Sequence, residues 1–264
     1  MSIHIGSISA SLFHPGAPGL LGKLRRSDYS DEVSQFFARL VTSPSEARRL
    51  LYIALIDGLV TAGVWQKLDG LFLLGAADSA TALTNLRKPG SATLQGTAPT
   101  FVADRGFTGD GISGYVDTGL NLNTQRYYKR DDCSLFAWSL TNTVDSDAFC
   151  AATTARMIPT IVGLFRSRLN DVTNSDLVNL DSSGLFTIAR GVAGSYEKYR
   201  NATALGTASV ASTGVSGTNM RICNDGSVFS VCQIFAAGLG GNLTSGEVSS
   251  LHSLLDTYKT AVGA

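Results

Sequence analysis

Residues Phe107–Leu120 read FTGDGISGYVDTGL, a segment in which four glycines crowd an otherwise alternating run. Gly109, Gly111 and Gly114 suit turns, because glycine alone takes positive φ and close backbone approach without a steric penalty. Tyr115, Asp117 and Gly119 then alternate with Val116 and Thr118, the period of a strand with one face buried. Turn chemistry followed at once by a half-buried strand is the unit that repeats downstream. From about Thr93 onward, short runs such as FVAD, GYVDTGL, SLFAWSL, TIVGLFRSRL, LFTIARGV, SYEKYRN, MRICN and FSVCQIFAAGL are separated by Gly, Asn, Asp and Ser. Many short strands at near-regular spacing predict a β-sandwich or barrel. NDGS at Asn224–Ser227 predicts a tight hairpin between MRIC and FSVCQIF.

Helical signals flank this region. Ser43 is read as a cap with Pro44 at the first helical position and Glu46 reaching back, predicting a helix over about 44–62. Ala47, Leu50, Leu51, Ala54, Leu55 and Leu59 form one apolar face, and Ile53, Ile56 and Val60 a second, so the helix must lie between two surfaces. VWQKLDGLFLLGAA reads as a short strand. Asp78 then caps a second short helix that Pro89 and Gly90 end. At the far end, Thr244 and Glu247 form a capping box, Val248, Leu251, Leu255 and Tyr258 line one face, and Gly263 caps the helix. Residues 1–42 combine HPGAPGLLG, a basic patch at Lys23, Arg25 and Arg26, and the short helical pattern YSDEVSQFFARL. This segment buries little by itself and suits an assembly or attachment arm. The division expected is therefore 1–42 arm, 43–92 helical preface packed on the sandwich, and 93–264 sandwich with its closing helix.

Composition narrows the function. Twenty-one Lys plus Arg balance twenty-one Asp plus Glu, leaving no excess positive charge for a phosphate backbone, so nucleic acid is not an expected partner. Charged residues make up only 16% of the chain, against a typical ~25%; a surface rich in Gly, Ser, Thr and Asn suits hydroxyl-rich ligands or protein neighbours. The run LLYIALIDGLVTAGVW is interrupted by Asp57 and is shorter than the ~20 apolar residues of a membrane span, so no span is expected. The N-terminus lacks the pattern of a secretory signal, and the chain is expected to stay in the cytosol where it is made. Cys133, Cys150, Cys223 and Cys232 show no metal-binding spacing and read as buried hydrophobes in strands, with no disulfide pairing legible.

Three pieces together carry a resemblance. RGFTGDGISGYVDTGL (105–120), the strand CSLFAWSL (133–140) and the terminal FSVCQIFAAGLGGNLTSGEVSSLHSLLDTY are similar to the concanavalin A-like lectin/glucanase superfamily, in particular the laminin G-like domains of phage and prophage tail or virion proteins. SYEKYRNATAL (195–205) resembles that family's hairpin, although Ala202 stands where glycine usually follows Asn201. WQKLDGLFLLGAADSATALTNL (65–86) resembles the preface of this domain in prophage proteins. The resemblance covers about residues 44–264. It implies a mainly β, concanavalin A-like jelly-roll sandwich with an N-terminal helical segment and a C-terminal amphipathic helix. It also implies a structural part of a bacteriophage particle, such as a tail, collar, fibre or capsid-decorating protein. Its partners would be other virion subunits, copies of itself in a homo-oligomer, and host-surface polysaccharide; its location would be the virion, assembled in the bacterial cytoplasm. The alternative is a carbohydrate-binding adhesin, since fold does not dictate function.

No catalytic constellation emerges. Retaining glucanases of this superfamily carry Glu-x-Asp-x-x-Glu on one strand, and no such run exists here; Glu46 and Glu247 are accounted for as helix-cap residues, leaving Glu32 and Glu197. His4, His14 and His252 lie outside the strands, and His252 is placed on the solvent side of the last helix. Asp145 with Asp147, Asp171 with Asp176, and Asp131 with Asp132 could group oxygen ligands for calcium, but Asp in a turn more often bonds its own backbone, so no metal and no cofactor are expected. Aromatic rings in polar loop-like settings stack on sugars, which makes Tyr127, Tyr128, Tyr196 and Tyr199 the candidate glycan contacts. Trp138 belongs to the core.

Overall fold

A computed structural model describes residues 29–143 and 149–264. Among them, in chain order, are helices α1 (Asp31–Phe37) and α2 (Glu46–Thr61), strand β1 (Leu68–Phe72), helix α3 (Ser79–Leu83), and strands β2 (Thr93–Gln95), β3 (Thr100–Val102), β4 (Gly106–Thr108), β5 (Tyr115–Asn121), β6 (Cys133–Ser139) and β7 (Cys150–Ala152). There follow β8 (Ala155–Ile161), β9 (Leu164–Leu169), β10 (Ser175–Val178), β11 (Gly184–Val192), β12 (Ser195–Arg200), β13 (Thr203–Ala208), β14 (Asn219–Ile222), β15 (Gln233–Gly240) and helix α4 (Ser245–Val262). The strands form two antiparallel sheets. One runs β13-β12-β11-β6-β15-β4-β3, with β1 also paired to β15; the other runs β10-β9-β8-β7-β14-β5-β2. The expected sandwich is therefore the observed fold.

Helices on the outside of the first sheet add a third layer, and this explains the two textures of the strand sequences. In β6, Leu135 and Ala137 face the other sheet, whereas Phe136 and Trp138 pack in the helical layer, so every residue of the strand is buried. Strands covered on both faces read as continuous apolar runs. The second sheet packs its main core on one face, with a small buried cluster of Ala151 and Ile158 on the other, and β9 and β14 alternate buried and half-exposed residues. β5, the strand from which the sequence reading began, buries Val116, Thr118 and Leu120 on that inner face. Before it, Asp110 accepts from the amides of Ile112, Ser113 and Gly114 at 2.9, 2.8 and 2.7 Å. Those amide bonds, led by that of Ser113, pull its carboxyl down to about 2. Gly109 is required for a different reason: a Cβ there would collide with the Ser230 carbonyl.

The helical layer holds its own core. Val33 and Phe36 of α1 are fully buried, and the Phe36 ring meets Tyr52 of α2 edge-on at 5.1 Å. The last part of the expected arm therefore packs on its own chain, burying a phenylalanine worth about 1.5–3 kcal/mol; Lys23, Arg25, Arg26, His4 and His14 lie outside the described residues. α2 buries Tyr52, Leu55, Ile56 and Leu59 and lies against both α1 and α4, with Leu51, Ile53 and Val60 packed at its margins and Ala47 and Ala54 exposed. α4 has its capping box, its Val248–Leu251–Leu255–Tyr258 face and its Gly263 cap as expected. β1, in the segment read as a preface, pairs with β15 and so contributes a strand to the sandwich.

Four local expectations are corrected. α2 begins one cap later, at Ser45, whose Oγ accepts from the Arg48 amide; of two serines two residues apart, the second takes the cap position and leaves Pro44 outside the helix. α3 closes at Leu83, well before Pro89, because Thr84 turns extended and bridges Ser91. Asn224–Ser227 makes a turn closed by an Asn224–Phe229 bridge, but β14 and β15 belong to different sheets, so the turn starts a crossing and not a sheet hairpin. His252 is half-buried and stacks on Trp138 at 5.2 Å and 7°, and desolvation, with help from Lys259, lowers its pKa.

Candidate functional site

Burial removes three of the four candidate tyrosines. Tyr128 and Tyr196 sit in the core between the sheets, their hydroxyls donating to Asn170 Oδ1 and the Ser167 carbonyl, both at 2.9 Å. Burial pushes Tyr128 well up and Tyr196 to about 12, so both stay neutral donors. Tyr199 lies three residues beyond Tyr196 along β12, so strand alternation turns it to the opposite face, into the helical layer. These are inward positions of alternating strands or of a loop folded under the sheet, and they offer no ring face to a ligand. Tyr127 alone is half-exposed.

Tyr127 opens onto a hollow of about 310 Å³ lined with Lys67, Asp132, Gly191, Gly241 and Asn242. The topology brings them together: along the adjacent strands β11, β6, β15 and β1, residue 191 ends β11, residue 132 precedes β6, residues 241 and 242 follow β15, and residue 67 precedes β1. The antiparallel order places all these ends on one rim of the first sheet. Asp132 Oδ1 accepts from the Asn242 amide at 2.6 Å. Lys67 Nζ donates to the Asn242 carbonyl at 3.0 Å and to Glu247 Oε2 at 2.6 Å. Lys67 and the Thr244 bonds together hold the Glu247 carboxyl below its usual range despite partial burial. Among the described residues the Tyr127 hydroxyl, Asp132 Oδ2 and the Asn242 carboxamide have no hydrogen-bond partner within the chain. Gly191 leaves room for the Asn242 carboxamide, which a Cβ there would displace at 2.7 Å from Nδ2.

The loop that presents Tyr127 is fixed by a residue that sequence reading passed over. Asp69 of β1 is buried, and its carboxylate accepts from the amides of Arg126 (2.9 Å), Tyr127 (3.0 and 3.2 Å) and Tyr128 (2.7 Å). Three successive amides converging on one carboxylate fix the backbone without using the Tyr127 ring. The signal was present as a lone charge inside the apolar run LDGLFLL.

The remaining acidic candidates are held within the protein. Asp131 accepts from Ser212 and pairs with Arg130, Asp176 pairs with Arg166 at 2.8 Å, and Asp171 bonds the Thr173 amide. Asp145 and Asp147 lie outside the described residues. Among the described residues no three His, Cys, Asp or Glu side chains group as a metal site. The four cysteines are buried free thiols, and burial raises Cys223 to about 12. No described helix is long and apolar enough to cross a membrane.

No known family profile and no curated protein sequence matches this chain. Solved structures do match its fold. A sialidase of Trypanosoma rangeli superposes with a TM-score of 0.56 at 12% identity, over 81% of this chain and 40% of the sialidase. The binding domain of botulinum neurotoxin serotype D gives 0.51 at 12% identity, over 71% of this chain and 52% of that one. A structure of botulinum neurotoxin type C, whose passage into cells is described as dependent on two ganglioside molecules, gives 0.54 at 10% identity, over 74% and 53%. The match thus spans about half or less of each of these proteins, and at such identities the likeness is one of fold alone, an antiparallel β-sandwich.

Proposed function

We propose that this protein is a non-catalytic, glycan-recognising sandwich carried on a bacteriophage-like particle, with the sugar seated at Tyr127. The observation that carries the glycan reading is the hollow itself. A half-exposed aromatic ring stands beside a carboxylate oxygen and a carboxamide that lack partners, the combination that packs a sugar face and orients its hydroxyls. The carbohydrate-related neighbours agree with it. Absence of catalysis is supported by the pairing of Glu247 with Lys67: its lowered pKa keeps it ionised, so it is no proton donor to complement Asp132. The particle setting rests on the sequence resemblance, which also makes other virion subunits and further copies of the chain its partners. A glycan array probed with the native chain and with Tyr127→Ala tests the site: saturable binding lost in the variant is expected, and equal binding by both refutes it. Release of sugar fragments would refute the non-catalytic reading. Immunogold labelling of particles tests the setting, and particles free of label would remove it.

A further inference from the structure

The charge around the hollow narrows the ligand. The chain as a whole is neutral, yet three cations that form no ion pair gather around the loop that carries Tyr127. Lys88 Nζ donates to Gln125 Oε1 at 2.6 Å, and Lys129 Nζ to the Gln125 carbonyl at 2.7 Å, so both ammonium groups meet at one residue. Arg126 follows, with its guanidinium 5.2 Å from the centre of the Tyr127 ring. None of the three forms an ion pair among the described residues, whereas Arg130 pairs with Asp131 and Lys67 with Glu247. Against these three stand two carboxylates without an ion pair, the exposed Asp132 and the buried Asp69, which the amides of residues 126–128 already hold. Nearby loop amides offer no alternative anion site, because those of residues 126–128 already hold Asp69.

We infer that the Tyr127 hollow takes an anionic saccharide, one whose carboxylate, phosphate or sulfate lies against Arg126 and Lys129 while its hydroxyls reach Asp132 and Asn242. This rests on the glycan reading and adds the charge of the ligand to it. The exposed Arg126 and Lys129, with the half-exposed Lys88, supply modest attraction that salt screens, so the signature is a preference that depends on ionic strength.

The experiment compares oligogalacturonate, its carboxyl-reduced neutral counterpart, and a phosphorylated and a sulfated oligosaccharide, binding to the full chain by calorimetry at low and high salt. Oligogalacturonate is expected to bind about tenfold tighter than its neutral counterpart at 50 mM salt, with the gap closing near 0.5 M. The phosphate and sulfate arms identify which anion fits best. Arg126→Gln with Lys129→Gln removes the preference while neutral binding persists, and Tyr127→Ala removes both. Equal, salt-independent affinity for charged and neutral sugars overturns the inference and leaves the glycan reading standing. No binding of any saccharide overturns both. A single-stranded oligonucleotide or anionic phosphatidylglycerol vesicles binding as tightly at the same salt would overturn the saccharide class.

Discussion

Replacing Asp69 with asparagine tests how the site is built. The substitution keeps the size of the side chain and one acceptor oxygen, but puts an NH2 group where Oδ2 now accepts from Tyr127 at 3.0 Å and Tyr128 at 2.7 Å. A buried amide left facing a donor costs about 1–3 kcal/mol, and the surviving bonds to Arg126 and Tyr127 lose their charge assistance, so about 3 kcal/mol in all is expected. For a domain of this size that is a fall of about 6–12 °C in melting temperature. Calorimetry and urea titration read the loss, and amide spectra should show Arg126, Tyr127 and Tyr128 shifting most. Sugar affinity should fall because the Tyr127 backbone is no longer held. A change under about 2 °C, with those three amides unmoved, would refute the claim that Asp69 holds the loop.

Asn201 and Ala202 both have positive φ, 47° and 67°, in the β12–β13 turn, so Ala202→Gly should stabilise the protein by about 0.5–1 kcal/mol in chemical denaturation. Gly109→Ala drives a Cβ into the Ser230 carbonyl and should cost about 1–3 kcal/mol in the same assay. Lys198 is buried over Phe165 with one bond to the Ser175 carbonyl, and desolvation lowers its pKa to about 8. The unfolded chain therefore binds more protons between about pH 8 and 10.5, so the stability of the native protein relative to Lys198→Met should rise across that window; a flat difference would contradict the assignment. The comparison must be a difference, because the buried thiols and tyrosines titrate in the opposite sense. In an NMR titration, the Asp110 carboxyl should change state near pH 2.

The architecture was readable where one residue type met one physical demand. Glycines 109, 111 and 114 placed the turns, the alternation of Val116, Thr118 and Leu120 placed a strand packed on one face, and the Thr244–Glu247 box placed α4. A helical preface packed on the sandwich was legible in the two apolar faces of α2, but the strands it covers were not, because CSLFAWSL says only that both of its faces are buried. The NDGS turn misled because its local chemistry is that of a hairpin, while partner choice across the sandwich is decided by strands distant in sequence. Of the site, Tyr127 was legible as an aromatic in a polar loop, but Tyr128 beside it was indistinguishable until burial separated them. Lys67, Asp132, Gly191 and Asn242 lie on four different strand ends, and only antiparallel register brings them to one rim.

The central claim is that a saccharide binds at that rim. Its most direct test is a titration of the isotope-labelled chain with oligogalacturonate, followed by amide chemical shifts. Saturable shifts centred on Tyr127, Asp132, Gly191, Gly241 and Asn242, and absent in Tyr127→Ala, are the predicted result. Saturable shifts centred elsewhere on the sandwich, or none at millimolar sugar, would contradict it.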